Sequence, residues 1–348
     1  MKPIIFSLPR VINNESIPPP INKSKIYFDD HPSPKLIKYG FNNISEKMDL
    51  NILTSDSHYK AGLNIDFTRD DKNSFVSKTT EIFGNQNDPA FYQAWEILNI
   101  FDLINKSESI YTNIPDILLE VTNSHKKIFN TNKQYNITND INKANNIQLI
   151  YSRYSDIDID ENALIQLIYN DLSNLFKMQI QGSNMILQLF NVQTQVTVQL
   201  VYLLSSYYTE AYLYKPMSSS DLSDDKYLIL IGLRNKSTID LPTFPSNSYL
   251  LSLGVNDIPN NFTSVIQCMN SFIMPNKYET YLKIINYLNT KVYEGATYQD
   301  LIKEQDKFTL DWINIFTEPD KIKTILDDNI NFVDKNCANS SKLDELFS

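Results

Sequence analysis

Residues 182–234 read GSNMILQLFNVQTQVTVQLVYLLSSYYTEAYLYKPMSSSDLSDDKYLILIGLR, and this stretch decides the fold. Met185–Phe190 is a short apolar run after a glycine turn, the pattern of a buried strand. Val196–Tyr207 repeats apolar residues at helical spacing, at Val196, Leu200, Leu203, Leu204 and Tyr207. Ala211–Tyr214 predicts a second strand, stopped by Pro216. Ser218–Asp225 is a polar loop, and Lys226–Leu233 predicts a third apolar strand. Strand, helix, strand, loop, strand is the closing portion of an α/β sheet.

Upstream, Asp88-Pro89 opens a helix over Ala90–Phe101, with Phe91, Ala94, Trp95, Leu98 and Phe101 on one face. SIYTNIP reads as a strand or turn, and Pro115–Phe129 as a helix. A polar, Asn-rich linker leads to a strand at Asn146–Ser152 and a helix at Asp160–Lys177. This alternation predicts a doubly wound sheet. Residues 1–75 are rich in Asn, Ser, Pro and Asp and predict an irregular arm with short ordered pieces such as Lys25–Phe28. Its apolar residues Ile4, Ile5, Phe6 and Leu8 are suited to pin it to the body. After Arg234, Pro242, Pro245 and Pro259 mark an irregular connection to amphipathic helices at Tyr278–Val292 and Tyr298–Phe316, with a last short helix at Lys321–Ile330. The division expected is an arm at 1–84, an α/β domain at 85–238 and a helical extension at 239–348.

A chain of 348 residues, 42% hydrophobic and 21% charged, can bury a sizeable core. Its net charge of −10 repels polyanions at long range, so a nucleic-acid site has to be a local basic patch. Cys268 and Cys337 make neither a disulfide framework nor a zinc pattern and are read as two thiols of a reducing compartment. The sequence has no run of about 18 apolar residues that would span a membrane, and its start is broken too early by proline for a signal peptide. The expected location is the cytoplasm, or a virion. Asp156, Asp158, Asp160 and Glu161 read as the solvated start of a helix rather than a cation site. His31, His58 and His125 lack a partner pattern and are read as surface residues.

Gly182, Leu187 and Phe190, followed by Lys215, Pro216, Ser219, Lys226 and Tyr227, carry a resemblance to a family. The segment resembles the C-terminal part of the FtsJ/RrmJ-type ribose 2′-O-methyltransferases, especially the branch of large DNA viruses. About fifty residues agree in order and spacing, and AFYQAWEILNIFDLI extends the resemblance upstream to Ala90. It implies a Rossmann-like class I methyltransferase sheet, here reduced, with strands missing between residues 107 and 145. It also implies S-adenosylmethionine as cofactor and a Lys-Asp-Lys-Glu set, whose central lysine deprotonates the ribose hydroxyl.

The residues depart from that chemistry. The family's cofactor loop needs glycines, and none lies between Gly84 and Gly182; IYTNIP stands in its place. Side chains at positive φ cost roughly 1–2 kcal/mol each. The four catalytic positions fall on Gln93, Arg153, Gln188 and Asp225, with Gln148 in place of an earlier Asp. A glutamine amide accepts no proton at neutral pH, so Gln188 cannot act as the base. Asp156 is an alternative for the acid aligned with Arg153, and it restores nothing at Gln188. The family's loop arginine is Ser220.

The reading is therefore a non-catalytic scaffold with no catalytic, cofactor or metal residues. The resemblance implies a binding subunit of viral mRNA capping or polyadenylation, with a protein partner and, as a further option, RNA. The alternatives are an active S-adenosylmethionine-dependent RNA 2′-O-methyltransferase with displaced groups, and a structural or virion interaction protein. Two placements are expected: Gln188 at the end of its strand, with Ile186 and Phe190 on the same face, and Arg153 either in an ion pair with Asp225 that fills the old cleft or pointing to solvent.

Overall fold

The computed structural model describes residues 4–10, 23–36, 72–154, 160–221, 223, 225–235, 239–255, 258–290 and 296–326. His58, Asp156, Asp158 and Cys337 lie outside the described residues.

The protein is a Rossmann-like, doubly wound α/β fold around a seven-stranded sheet. The strands are β1 Ile4–Ser7, β3 Ser109–Thr112, β4 Asn136–Thr138, β5 Ile147–Ser152, β6 Gln179–Leu189, β7 Tyr208–Lys215 and β8 Lys226–Leu233. Their spatial order is β1-β7-β8-β6-β5-β3-β4. The β4, β3, β5 and β6 pairings are parallel, whereas β8 is antiparallel to both β6 and β7, and β1 is antiparallel to β7. Five strands therefore point one way, with β8 and β1 opposed. Strands β2 Ile26–Asp29 and β9 Tyr249–Leu253 form a separate antiparallel pair.

Strand alternation sends side chains to two cores. On β6, Met185, Leu187 and Leu189 face one core and Ile186 the other; on β8, Leu228 and Leu230 oppose Tyr227 and Ile229. Helices α5 Glu161–Met178, α6 Gln195–Tyr207 and α7 Asn260–Thr290 cover the first core. Helices α1 Lys72–Phe83, α2 Pro89–Ile100, α3 Leu103–Lys106, α4 Pro115–Phe129 and α8 Ala296–Phe316 supply the second. Both faces are thus buried, as a largely parallel sheet requires.

Local chemistry accounts for the helix starts. Asp88 caps α2, accepting from the Ala90 N–H at 2.8 Å, with Pro89 in the first turn. Asp160 does the same for α5 through Asn162, and Thr194 for α6 through Thr197. Residues 107–145, where strands are expected to be missing, contribute β3 and the three-residue β4. β4 is hidden in sequence because its text is Asn-Ile-Thr in a polar linker. Ile4–Ser7 enters the sheet as its edge strand, and α7 begins well before Tyr278, burying Phe262, Val265, Ile266 and Met269. Phe190 lies beyond the end of β6 and joins the core of Leu187 and Leu189, not that of Ile186, because strand alternation stops at Leu189.

Candidate functional site

In a doubly wound sheet a ligand crevice forms at the carboxyl ends of the strands, where successive connections leave in opposite directions. Here that point lies between β3 and β5: α4 leaves β3 toward β4 over one face, and α5 leaves β5 toward β6 over the other. The residues after β3 and β5 are tied together across it. Asn113 donates from Nδ2 to the Arg153 carbonyl at 2.6 Å and accepts the Arg153 N–H at 3.0 Å. Thr112 Oγ1 accepts the Ile114 N–H at 3.1 Å, and Pro115 starts α4 at once.

Beside this clasp, three of the four positions singled out in the sequence meet. Asp225 Oδ2 accepts from Gln93 Nε2 and Oδ1 from Gln188 Nε2, each at 3.2 Å. Gln188 Oε1 accepts the Tyr154 N–H at 3.0 Å, and Gln93 Oε1 accepts the Tyr227 hydroxyl at 2.7 Å. A backbone N–H can only donate, so Gln188 must turn its oxygen to Tyr154 and its NH₂ to Asp225. Both amides are consumed as bridges. Gln93, Gln188 and Tyr227 are buried and Asp225 half-buried. Gln188 stands directly opposite Tyr227 across the β6–β8 pairing, one residue before the end of β6. The fourth position, Arg153, follows β5; its charge pulls down the pKa values of Tyr151 and Tyr227, which burial pushes well up. The bonds that fix Asp225 to Gln93 and Gln188 are not among the contacts expected from sequence.

The structure also brings together residues that sequence reasoning missed. Glu96, one turn after Gln93, is fully buried and takes four donors: the Tyr214 hydroxyl at 2.5 Å, and the Met217 N–H, Ser218 N–H and Trp312 indole N–H at 2.7 Å each. Burial pushes its pKa up, and the bonds from Tyr214, Ser218 and Trp312 pull the other way. Trp95 donates its indole N–H to the Phe316 carbonyl at 3.0 Å, so both tryptophans of the chain fasten α8 onto α2. A lone acid within AFYQAWEILNI, apolar on nearly every side, is the signal that could have found Glu96. Lys215 is buried and donates to the carbonyls of Ser220 and Ser223 at 3.0 and 2.7 Å; Lys226 donates to the Phe190 carbonyl at 3.0 Å. These bonds shape the loop that carries Asp225.

Two expectations are corrected. Glu161 is buried rather than solvated: its Oε1 accepts the Gln193 and Thr194 N–H groups at 3.0 and 2.9 Å and the Thr194 hydroxyl at 2.9 Å. It holds the start of α6, while Asp160 remains the exposed cap. His125 is 1% exposed, packed between Trp95 and Phe129, and burial lowers its pKa from 6.5 to about 4. It sits on the inner face of α4, where helical position outweighs the polarity of the residue type. His31 is exposed, as expected. Among the described residues there is no cluster of three His, Cys, Asp or Glu suited to a metal, and no helix is long and apolar enough to cross a membrane.

No family model matches the chain. It is 95% identical over 348 residues, 100% of both chains, to a protein of Acanthamoeba polyphaga mimivirus named "Uncharacterized protein R383". With identity at that level over the full length, the chain belongs to the family of this mimivirus protein, and its Rossmann-like fold is that of a viral protein.

Proposed function

We propose that the protein is a catalytically inactive, methyltransferase-like binding subunit serving viral mRNA capping or polyadenylation. One observation carries the inactive part: Gln93 and Gln188 spend their amides on Asp225, Tyr227 and Tyr154 in a hydrogen-bond network beside the carboxyl-end crevice. Neither glutamine amide can take a proton from a ribose hydroxyl at neutral pH and return it. The residues do not fit S-adenosylmethionine either. Asn113 reaches across to Arg153 where a cofactor would need open backbone, and the residues between β3 and α4 carry full side chains. The viral origin of the relative and the resemblance of residues 90–234 to the FtsJ/RrmJ-type enzymes support the link to RNA processing.

The test has two arms. Titration with S-adenosylmethionine is expected to give no binding heat and no rise in melting temperature. A ligand at 100 times its dissociation constant would add about 2.7 kcal/mol, which is easily seen. Micromolar binding accompanied by methyl transfer to capped RNA would overturn the inactive reading. Co-expression with the capping and polyadenylation enzymes of the same virus is expected to give a stable complex on size exclusion. Failure to associate with either would overturn the RNA-processing role.

A further inference from the structure

The amino ends of the sheet carry a second feature, remote from the cleft. Between the end of α4 and the start of β4 lies an open concavity of about 530 Å³, lined by Lys126, Lys127, Lys133, Asn123, Asn132 and Gln134 among others. The chain bears a net charge of −10, yet the residues lining this hollow include three cations and no carboxylate. Among the described residues no acid lies within ion-pair distance of these lysines. Surface lysines elsewhere, such as Lys78 with Asp306 and Lys143 with Asp140, do sit against carboxylates.

The lysines are also held in place. The ammonium groups of Lys126 and Lys133 both stand over the ring of Tyr135, at 5.2 and 5.9 Å from its centre. Lys133 is further fixed by the Asn105 carbonyl, and Lys127 reaches the Ile82 carbonyl at 3.5 Å. An aromatic face and neutral carbonyls position these charges without neutralising them. The helix end beneath is already capped: the N–H groups of Asn130 and Thr131 both bond the Lys126 carbonyl. Like charges gathered around one ring raise the local positive potential, and a bound anion lowers it. The side-chain amides of the lining add donors suited to oxyanions. A volume of this size accommodates a nucleotide-sized ligand.

We infer that this concavity is a binding site for phosphate oxyanions, presented either by a free phosphorylated small molecule or by a nucleic-acid backbone. An acidic peptide offers the same charge, but its carboxylates carry one charge each on separate side chains. Phosphate groups gather several charged oxygens on one centre, which suits a lining of three lysines and neighbouring amides.

The full-length protein is titrated with inorganic tripolyphosphate by calorimetry at low salt. Binding with a dissociation constant below about 1 mM is expected, weakening as salt rises from about 50 to about 200 mM. The double variant Lys126→Gln/Lys133→Gln is expected to lose about tenfold or more, with its melting temperature checked alongside. Should that variant fail to fold, Asn132→Asp places a carboxylate in the lining at an exposed position and is expected to give the same loss. A single-stranded 20-mer oligonucleotide then assigns the source. Displacement of tripolyphosphate by it means that a nucleic-acid backbone is the ligand, and no displacement means a free phosphorylated molecule. Absence of tripolyphosphate binding, binding unchanged in the variants, or equal displacement by polyglutamate would each overturn the inference.

Discussion

Glu96→Gln tests the buried hub that holds the cleft and α8 together. Oε1 of Glu96 accepts the N–H groups of Ser218 and Trp312, and Oε2 accepts the Met217 N–H and the Tyr214 hydroxyl. Glutamine keeps one oxygen and turns the other into NH₂. With its oxygen toward Ser218 and Trp312, the NH₂ faces the Met217 N–H, donor against donor. The Tyr214 hydroxyl can rotate and accept, but the backbone N–H cannot. The flipped amide is worse, because it orphans two N–H groups. One buried donor left unpaired costs about 1–3 kcal/mol, so the variant should lose about that much. This holds whether the carboxyl is charged or neutral, since a protonated Oε2 can still accept from Met217 while donating to Tyr214. Urea unfolding followed by tryptophan fluorescence is the natural assay, because Trp95 and Trp312 both lie at this contact. The midpoint should fall with the slope unchanged. A loss below about 0.5 kcal/mol would refute the geometry of the hub, since a surface substitution costs no more. Glu96→Ala removes the acceptor for all four donors and should cost more than the glutamine variant.

Three further outcomes are expected. Asp225→Ala removes the carboxylate that accepts from Gln93 and Gln188 and should destabilise by about 1–3 kcal/mol, whereas Asp225→Asn, which keeps one oxygen, should cost less; chemical denaturation compares the two. His125 has a folded pKa lowered by burial to about 4 against 6.5 when free, so the stability it contributes is full above pH 6.5 and is lost as the pH falls through 4. The melting temperature should therefore drop on acidification across that window, and by less in His125→Phe. Gly232 has φ +70° and a Cβ there would sit 2.5 Å from Thr209 Oγ1, whereas Gly182 at φ +80° has open space around it. Gly232→Ala should therefore destabilise by more than the roughly 1–2 kcal/mol backbone cost expected for Gly182→Ala; thermal melts of both variants rank them.

The parts of the fold legible in sequence are those whose signal is local. Lys226–Leu233 and Pro115–Phe129 are observed at their expected bounds, because a continuous apolar run and a proline-started amphipathic helix announce themselves. β6 begins at Gln179, ahead of the expected Met185, because its first residues follow α5 directly and pass through a register irregularity around Gly182. β4 and β9 were not legible. One is three polar-looking residues at a sheet edge, and the other lies among prolines and pairs with β2, more than 200 residues away.

The sequence by itself determined the α/β alternation, the helix start at Asp88-Pro89 and the presence of glutamine at positions 93 and 188, since each depends on residue type and short spacing. It also determined that Gln93, Gln188 and Asp225 are the residues to watch. Only the tertiary structure decided what they do. The Gln93–Asp225 contact spans 132 residues of chain, and the bond from Glu96 to Trp312 spans 216. No local pattern encodes a contact at that separation. Burial decided the rest: Glu96, Glu161, Lys215 and His125 are residue types that favour water, and each lies inside because chain elements brought from elsewhere surround it there. The two carboxyl groups are held by bonds across the fold and the Lys215 ammonium by the carbonyls of the loop that follows it, because a charged or polar group removed from water needs partners that the folded chain supplies.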